Sequence, residues 1–148
     1  MNQRLQFNPY HAADRSACLT LFDENCPANF APCERDDYVT FLDSSTENYV
    51  VCLLSHRIVG AYGLYPNNTG GTALRWILLS TSSQGLGLGS IIMSRVTDDV
   101  RRSGRLPLHI NASHRSAPFF ARFGAIETAT VPDGWGPGMH RVEMRLIQ

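Results

Sequence analysis

Lysine is missing from all 148 residues, so the thirteen basic side chains that balance thirteen acidic ones are all arginine. That absence excludes a Walker loop, which needs Gly-Lys-Ser/Thr to reach a nucleotide's terminal phosphates. The zero net charge removes the electrostatic footprint of a protein that grips nucleic acid or an anionic membrane, so neither partner is expected. Long apolar runs are missing too: Tyr49–Leu54 and Trp76–Leu79 are strand-sized and too short to cross a bilayer. The opening residues MNQRLQFNPY lack the basic-then-apolar layout of a signal peptide. Cys18, Cys26, Cys33 and Cys52 show no CxxC spacing and no histidine in metal-finger register. The expectation is a cytoplasmic protein with reduced thiols and no metal. Repeats and low-complexity tracts are also lacking.

What is present is the composition of one ordinary globular domain covering residues 1–148, with 43% hydrophobic and 18% charged residues. Gln3–Asn8 reads as a short strand ended by Pro9. Asp14 to about Asn25 reads as a helix with Ala17, Cys18, Leu21 and Phe22 on its apolar stripe, and Pro32 opens a second helix, Cys33–Leu42. The period then changes. Tyr49–Leu54 and Ile58–Tyr65 flank the polar turn Ser55-His56-Arg57 as a hairpin, and Asn67–Gly71 turns into the strand Ala73–Ser80. A helix follows over about Gly87–Ser103, with Leu88, Ile91, Ile92, Val96 and Val100 on one face and Gly104 as its stop. Leu106–Asn111 is a strand, Ser116–Phe123 a helix, Ala125–Val131 a strand, Gly134–Gly138 a loop and Met139–Ile147 the last strand. This order predicts an α/β (α+β) fold with a mixed sheet and one strand–helix–strand crossover.

The sharpest local feature is the turn Gln84-Gly85-Leu86-Gly87-Leu88-Gly89-Ser90, which leads from a strand into a helix. Glycine inside a helix costs roughly 1 kcal/mol relative to alanine, so three of them at a helix start point to a need for bare backbone. Free N–H groups and the positive end of the helix dipole together bind phosphate oxygens. A dinucleotide fingerprint, GxGxxG, fails because Ser90 stands at its third glycine, and the strand Leu106–Asn111 ends without the acid that motif requires.

Gln84, Gly87 and Gly89 do match [Arg/Gln]-x-x-Gly-x-[Gly/Ala], and the run Pro118-Phe119-Phe120-Ala121-Arg122-Phe123-Gly124-Ala125 is similar to a second signature of the same family. The chain resembles the GNAT N-acetyltransferases, in motif detail over Leu74–Ala125 and in element order over nearly its whole length. The resemblance implies acetyl-CoA as cosubstrate and direct attack of an acceptor amine on its thioester. It implies a pantetheine arm lying between splayed strands on Ile77, Leu78 and Leu79, and a pyrophosphate on Gln84, Gly85, Leu86, Gly87, Leu88, Gly89 and Ser90. Ser113 and Phe120 complete the implied cofactor contacts.

Two departures accompany the resemblance. Phe120 stands where the family's proton-donating Tyr is expected, and Ala73–Ile77 carries no carboxylate base. An amine of pKa near 10.4 is neutral in only about one molecule in 2,500 at pH 7, so a base or a weakly basic substrate is needed. Glu24 and His140 are the candidates, against plainer structural readings for both, and Trp135 is a candidate wall of the acceptor pocket. His109 reads as a core or edge histidine, His56 as a solvated turn residue, and Arg101, Arg102 and Arg105 as answers to the helix dipole. Three functions compete: an N-acetyltransferase acting on a primary amine of a small molecule or protein, an acetyl-CoA-binding sensor or interaction module, and an unrelated nucleotide-binding domain. A homodimer is left open.

Overall fold

The computed structural model describes residues 5–83 and 87–148; Gln84, Gly85 and Leu86 of the expected cradle lie outside the described residues. In chain order the elements are β1 (Leu5–Pro9), a 3-10 turn, α1 (Arg15–Glu24), α2 (Glu34–Ser44), β2 (Tyr49–Leu54), β3 (Arg57–Pro66) and β4 (Thr72–Leu79). A second 3-10 turn, Thr81–Ser83, leads toward α3 (Leu88–Arg102), followed by β5 (Leu108–Ser113), α4 (Ala117–Ala121), β6 (Ile126–Gly136) and β7 (Met139–Leu146). The strands form one seven-stranded sheet in the order β1-β2-β3-β4-β5-β7-β6. Every neighbouring pair is antiparallel except β4 and β5.

The period-2 alternation of the strands sends neighbouring side chains to opposite faces. Val51 and Ala61 pack with Cys18, Leu21, Phe22, Tyr38, Phe41 and Leu42 of α1 and α2. Cys52 and Tyr62 pack with Ile92, Val96 and Val100 of α3 and with Phe120 of α4. On α3 the buried stripe takes in Met93 and leaves Ile91 43% exposed. At 3.6 residues per turn, a stripe through Ile92, Val96 and Val100 drifts toward Met93 and away from Ile91.

Several boundaries move from those expected. Ser55 and His56, both at positive φ, form the two-residue turn, so β3 begins at Arg57; that backbone is the type I′ hairpin geometry. Gly134–Gly138 is not a loop: β6 runs on to Gly136, with irregular register between Val131 and Gly136. Asp133 at φ 53° and Gly136 at φ 150° absorb the irregularity that reads as a loop in one dimension. The strand expected at 106–111 lies at 108–113, and the fourth helix is shorter than its sequence signal.

Candidate functional site

The parallel pair is pinned at one end and open at the other. Thr72 N–H donates to the Pro107 carbonyl at 3.0 Å, and the Thr72 hydroxyl donates to the Arg105 carbonyl at 2.9 Å. Gly71, at φ +77°, lies so close that a Cβ there would collide with the Pro107 carbonyl. Pairing then runs from Thr72↔Leu108 to Leu74↔Ile110 and stops, although β4 continues to Leu79 and β5 to Ser113. The strands part at their C-terminal ends, and the freed edges form the walls of a cleft.

A bulge in β4 shapes the same region. Gly63 pairs with Arg75 and Ala61 with Leu78, so Trp76 and Ile77 together face the single residue Tyr62 across the ladder. Trp76 sits at φ 49°, a backbone region L-residues rarely occupy. Its carbonyl accepts a hydrogen bond from the Tyr49 hydroxyl at 2.6 Å, and the Tyr38 and Tyr49 hydroxyls lie 2.8 Å apart. Burial pushes both phenols well above their ordinary pKa, so both remain protonated. Since the Tyr49 proton goes to Trp76, Tyr38 is the donor to Tyr49. The chain of hydroxyls ties α2 to the bulge.

Between the splayed strands lies a cavity of about 440 Å³, within the range typical of ligand sites. Ile77, Leu79, Ser113 and Phe120, expected at the cofactor, are among its lining residues. Leu78 turns the other way and is 1% exposed in the core beneath α1 and α2. The Leu79 carbonyl accepts from Asn25 Nδ2 at 2.9 Å. Ser113 and Ser116 hold each other: Ser113 N–H donates to Ser116 Oγ at 3.0 Å, and Ser116 N–H donates to Ser113 Oγ at 3.1 Å.

The described part of the glycine turn separates two reasons for glycine. Gly87 caps α3 at φ 70°, and a Cβ built there would meet nothing within 4 Å among the described residues. Its glycine answers a left-handed backbone, and bare backbone at a helix start is what binding a phosphate there would use. Gly89 answers packing instead, because a Cβ would lie 2.7 Å from Cε1 of Phe119. Leu88 is buried in the core beneath α3, and Ser90 follows on the first turn of the helix.

Neither candidate base is among the residues that line the cavity. The Glu24 carboxylate accepts from Thr81 N–H at 3.0 Å, from Thr81 Oγ1 at 3.2 Å and from Ser80 Oγ at 3.3 Å. It braces the segment leading from β4 into the glycine turn. Nδ1 of His140 accepts from Asp133 N–H at 3.0 Å, and its ring lies 4.7 Å from that of His114. Trp135 does line the cavity, with its indole N–H donating to the Ala112 carbonyl at 2.9 Å.

Sequence reasoning missed Glu34. This first residue of α2 lines the cavity and is 4% exposed. One oxygen, Oε2, accepts from Ala31 N–H at 2.7 Å, while the Ala31 carbonyl accepts from Glu34 N–H at 3.0 Å. Burial, with a smaller push from the Asp37 charge, raises its pKa from 4.5 to about 7 against the pull of the Ala31 N–H. A carboxyl with that pKa is able to take and return protons near neutral pH. An acid three residues beyond Ala31 in the sequence looks like a helix-capping device; in the structure it closes the turn that precedes α2. Only the tertiary contacts reveal that it also faces a cavity. The lining contains no tyrosine and no cysteine among the described residues.

A model of the acetyltransferase (GNAT) family matches residues 16–125. A search of curated protein sequences found no match. Among solved structures, a protein assigned to the GNAT acetyltransferases from Desulfovibrio desulfuricans superposes with a TM-score of 0.77 at 21% identity, covering 99% of both chains. The yncA protein of Salmonella typhimurium, solved with its cofactor acetyl-CoA, gives 0.72 at 17% identity, over 99% of this chain and 94% of that one. The ribosomal-protein-S18-alanine N-acetyltransferase of Escherichia coli gives 0.76 at 14% identity, over 97% and 94%. At such identities the likeness is one of fold.

Proposed function

We propose, from the premise that this chain belongs to the GNAT acetyltransferase family, that residues 1–148 form one cytoplasmic domain that acetylates a primary amine with Glu34 as the base. The observation that carries this reading is the cavity between the splayed strands, with a buried carboxyl of raised pKa in its wall. The residues present fit acetyl-CoA. Beyond Leu74 the β4 edge has no β5 partner among the described residues, and Gly87 offers bare left-handed backbone at the start of α3. Ile77 and Leu79 would hold the pantetheine arm, and Gly87 to Ser90 the pyrophosphate; Gln84, Gly85 and Leu86 are proposed to share that cradle.

When bound, acetyl-CoA supplies an activated thioester whose acetyl group passes to the amine nitrogen as the carbon–sulfur bond breaks. The protein's own part is to position and to move protons. Ionised Glu34 attracts the acceptor's ammonium and takes one proton at its carboxylate, leaving a neutral nitrogen lone pair. Phe119 and Phe120 exclude water from the cavity wall. With no tyrosine in the lining, the second nitrogen proton is the one available to the departing sulfur, so the products are amide, thiol and the proton on Glu34. Holding two reactants together supplies the larger share of the rate, and proton transfer adds about 10²–10⁴-fold.

The test is release of coenzyme A thiol with a panel of amines and peptides from pH 6 to 9. The expected profile rises through about pH 7 as Glu34 ionises and then levels. A protein that binds acetyl-CoA yet acetylates nothing would overturn the transferase reading in favour of a sensor.

A further inference from the structure

Arg115, in the turn after β5, has a role that the acetyl-transfer chemistry leaves open. It lines the 440 Å³ cavity and also a neighbouring one of about 360 Å³. Pro27, Ala28 and Pro32 of the α1–α2 segment, with Pro137 and Gly138 of the β6–β7 turn, form that second space. Arg115 is thus the residue shared by the cavity between the strands and the space bounded by the α1–α2 segment and the β6–β7 turn. Three arginines are held in ion pairs, Arg15 with Asp43, Arg35 with Asp23 and Arg141 with Glu143, whereas Arg115 is exposed at the cavity's edge. Arg75 lies 5.5 Å from the Phe41 and Tyr65 ring centroids. Arg115 makes no ion pair among the described residues.

The cavity lining thus carries the buried acid Glu34 and two guanidiniums, Arg75 laid against aromatic rings and Arg115 at the exposed edge, with aromatic surface beside them. Phe30 and Trp76 stack at 6.0 Å and 20°, and both line the cavity with Trp135. The wall at this end is built by direct contact between two distant segments. The Trp135 carbonyl accepts from Cys33 Sγ at 3.1 Å, and a Cβ on Gly136 would lie 2.7 Å from that sulfur and 3.0 Å from the Ala31 Cβ. The β6–β7 hairpin therefore packs directly on the α1–α2 segment, which favours a compact ligand over a segment of folded protein.

We propose that the acceptor is a small amino acid with an apolar or aromatic side chain, its ammonium held by Glu34 and its carboxylate by Arg115. The proposal rests on the transferase reading above and deepens it. A polar ligand entering such a site must have its charges met, and an arginine fork matches a carboxylate with two parallel hydrogen bonds. An acceptor without the anion loses one charge-assisted contact, which corresponds to about ten- to hundredfold in kcat/KM.

The experiment compares phenylalanine, phenylalanine amide, phenethylamine and a peptide with N-terminal phenylalanine, by thiol release. Binding of each acceptor to the protein saturated with coenzyme A is measured separately by calorimetry. Phenylalanine should exceed its amide at least tenfold in both measurements. Arg115→Gln should reduce that ratio at least tenfold, and Arg115→Lys should restore part of it. Amide, amine or peptide serving as well as the amino acid overturns this proposal and leaves the transferase reading standing. So does a ratio that Arg115→Gln leaves unchanged. Binding of acetyl-CoA with no turnover of any acceptor overturns both.

Discussion

Glu34 carries two opposing obligations, because the fold buries it and the proposed chemistry needs it ionised. Its folded pKa of about 7 stands above the ordinary 4.5. Stability from this group is therefore complete below pH 4.5 and is lost as pH rises through 7, by roughly 3 kcal/mol. Glu34→Gln keeps an oxygen for the Ala31 N–H and removes the ionisation. Urea unfolding at pH 5 and pH 8 should show the wild type losing up to about 3 kcal/mol relative to that variant. In turnover, the same variant should fall about 10²–10⁴-fold at pH 7 and climb without levelling to pH 9, since the acceptor's own ionisation then limits the rate. Phe120 sets the other residue-scale expectation. It is 4% exposed and shared between the core and the cavity wall, so Phe120→Ala would cost about 3–5 kcal/mol of stability and mix folding with chemistry. Phe120→Tyr isolates the chemistry: turnover at or above wild type is expected, and a drop of more than tenfold in the folded protein would argue against a donor being useful there.

At the scale of elements, the cleft depends on β4 being held away from β5 without fraying. The Tyr38–Tyr49–Trp76 hydrogen bonds fix the bulge from the α2 side, and the Gly71–Pro107 approach fixes the hinge of the splay. Tyr49→Phe leaves the Trp76 carbonyl and the Tyr38 hydroxyl without that partner, at a cost of about 1–3 kcal/mol. Because the bulge adjoins Ile77, acetyl-CoA affinity measured by calorimetry should weaken as well. An unchanged affinity would show that the bulge is held by the strand pairing alone. Gly89 offers a companion case in which helix packing, rather than phosphate contact, demands the glycine. There, Gly89→Ala must displace the Phe119 ring or the start of α3, and a thermal melt should register about 1–3 kcal/mol of overpacking.

At the scale of the whole molecule, a ligand spanning β4, α3 and β5 couples separate parts of the sheet, so binding should appear as global stability. Acetyl-CoA at about 100 times its Kd should add about 2.7 kcal/mol, raising Tm by roughly 5–10 °C for a domain of this size. Acetylpantetheine lacks the pyrophosphate and should need a far higher concentration for the same shift. Equal potency of the two would remove the phosphate role from the start of α3. The seven-stranded sheet and the order of its elements were legible in one dimension, because alternating apolar residues and an i, i+4 stripe record which face of each element is buried. Gly87 was legible too, since a left-handed helix cap admits few residues besides glycine. Glu34 and Arg115 were not. They line one cavity because α2 and the turn after β5, far apart in sequence, border the same space, and sequence periodicity reports burial along an element, never which distant elements converge on a shared space. The same limit applies to Glu24: as an acid near the end of α1 it reads as either a base or a brace, and only the folded chain brings Thr81 N–H to where it donates to that carboxylate.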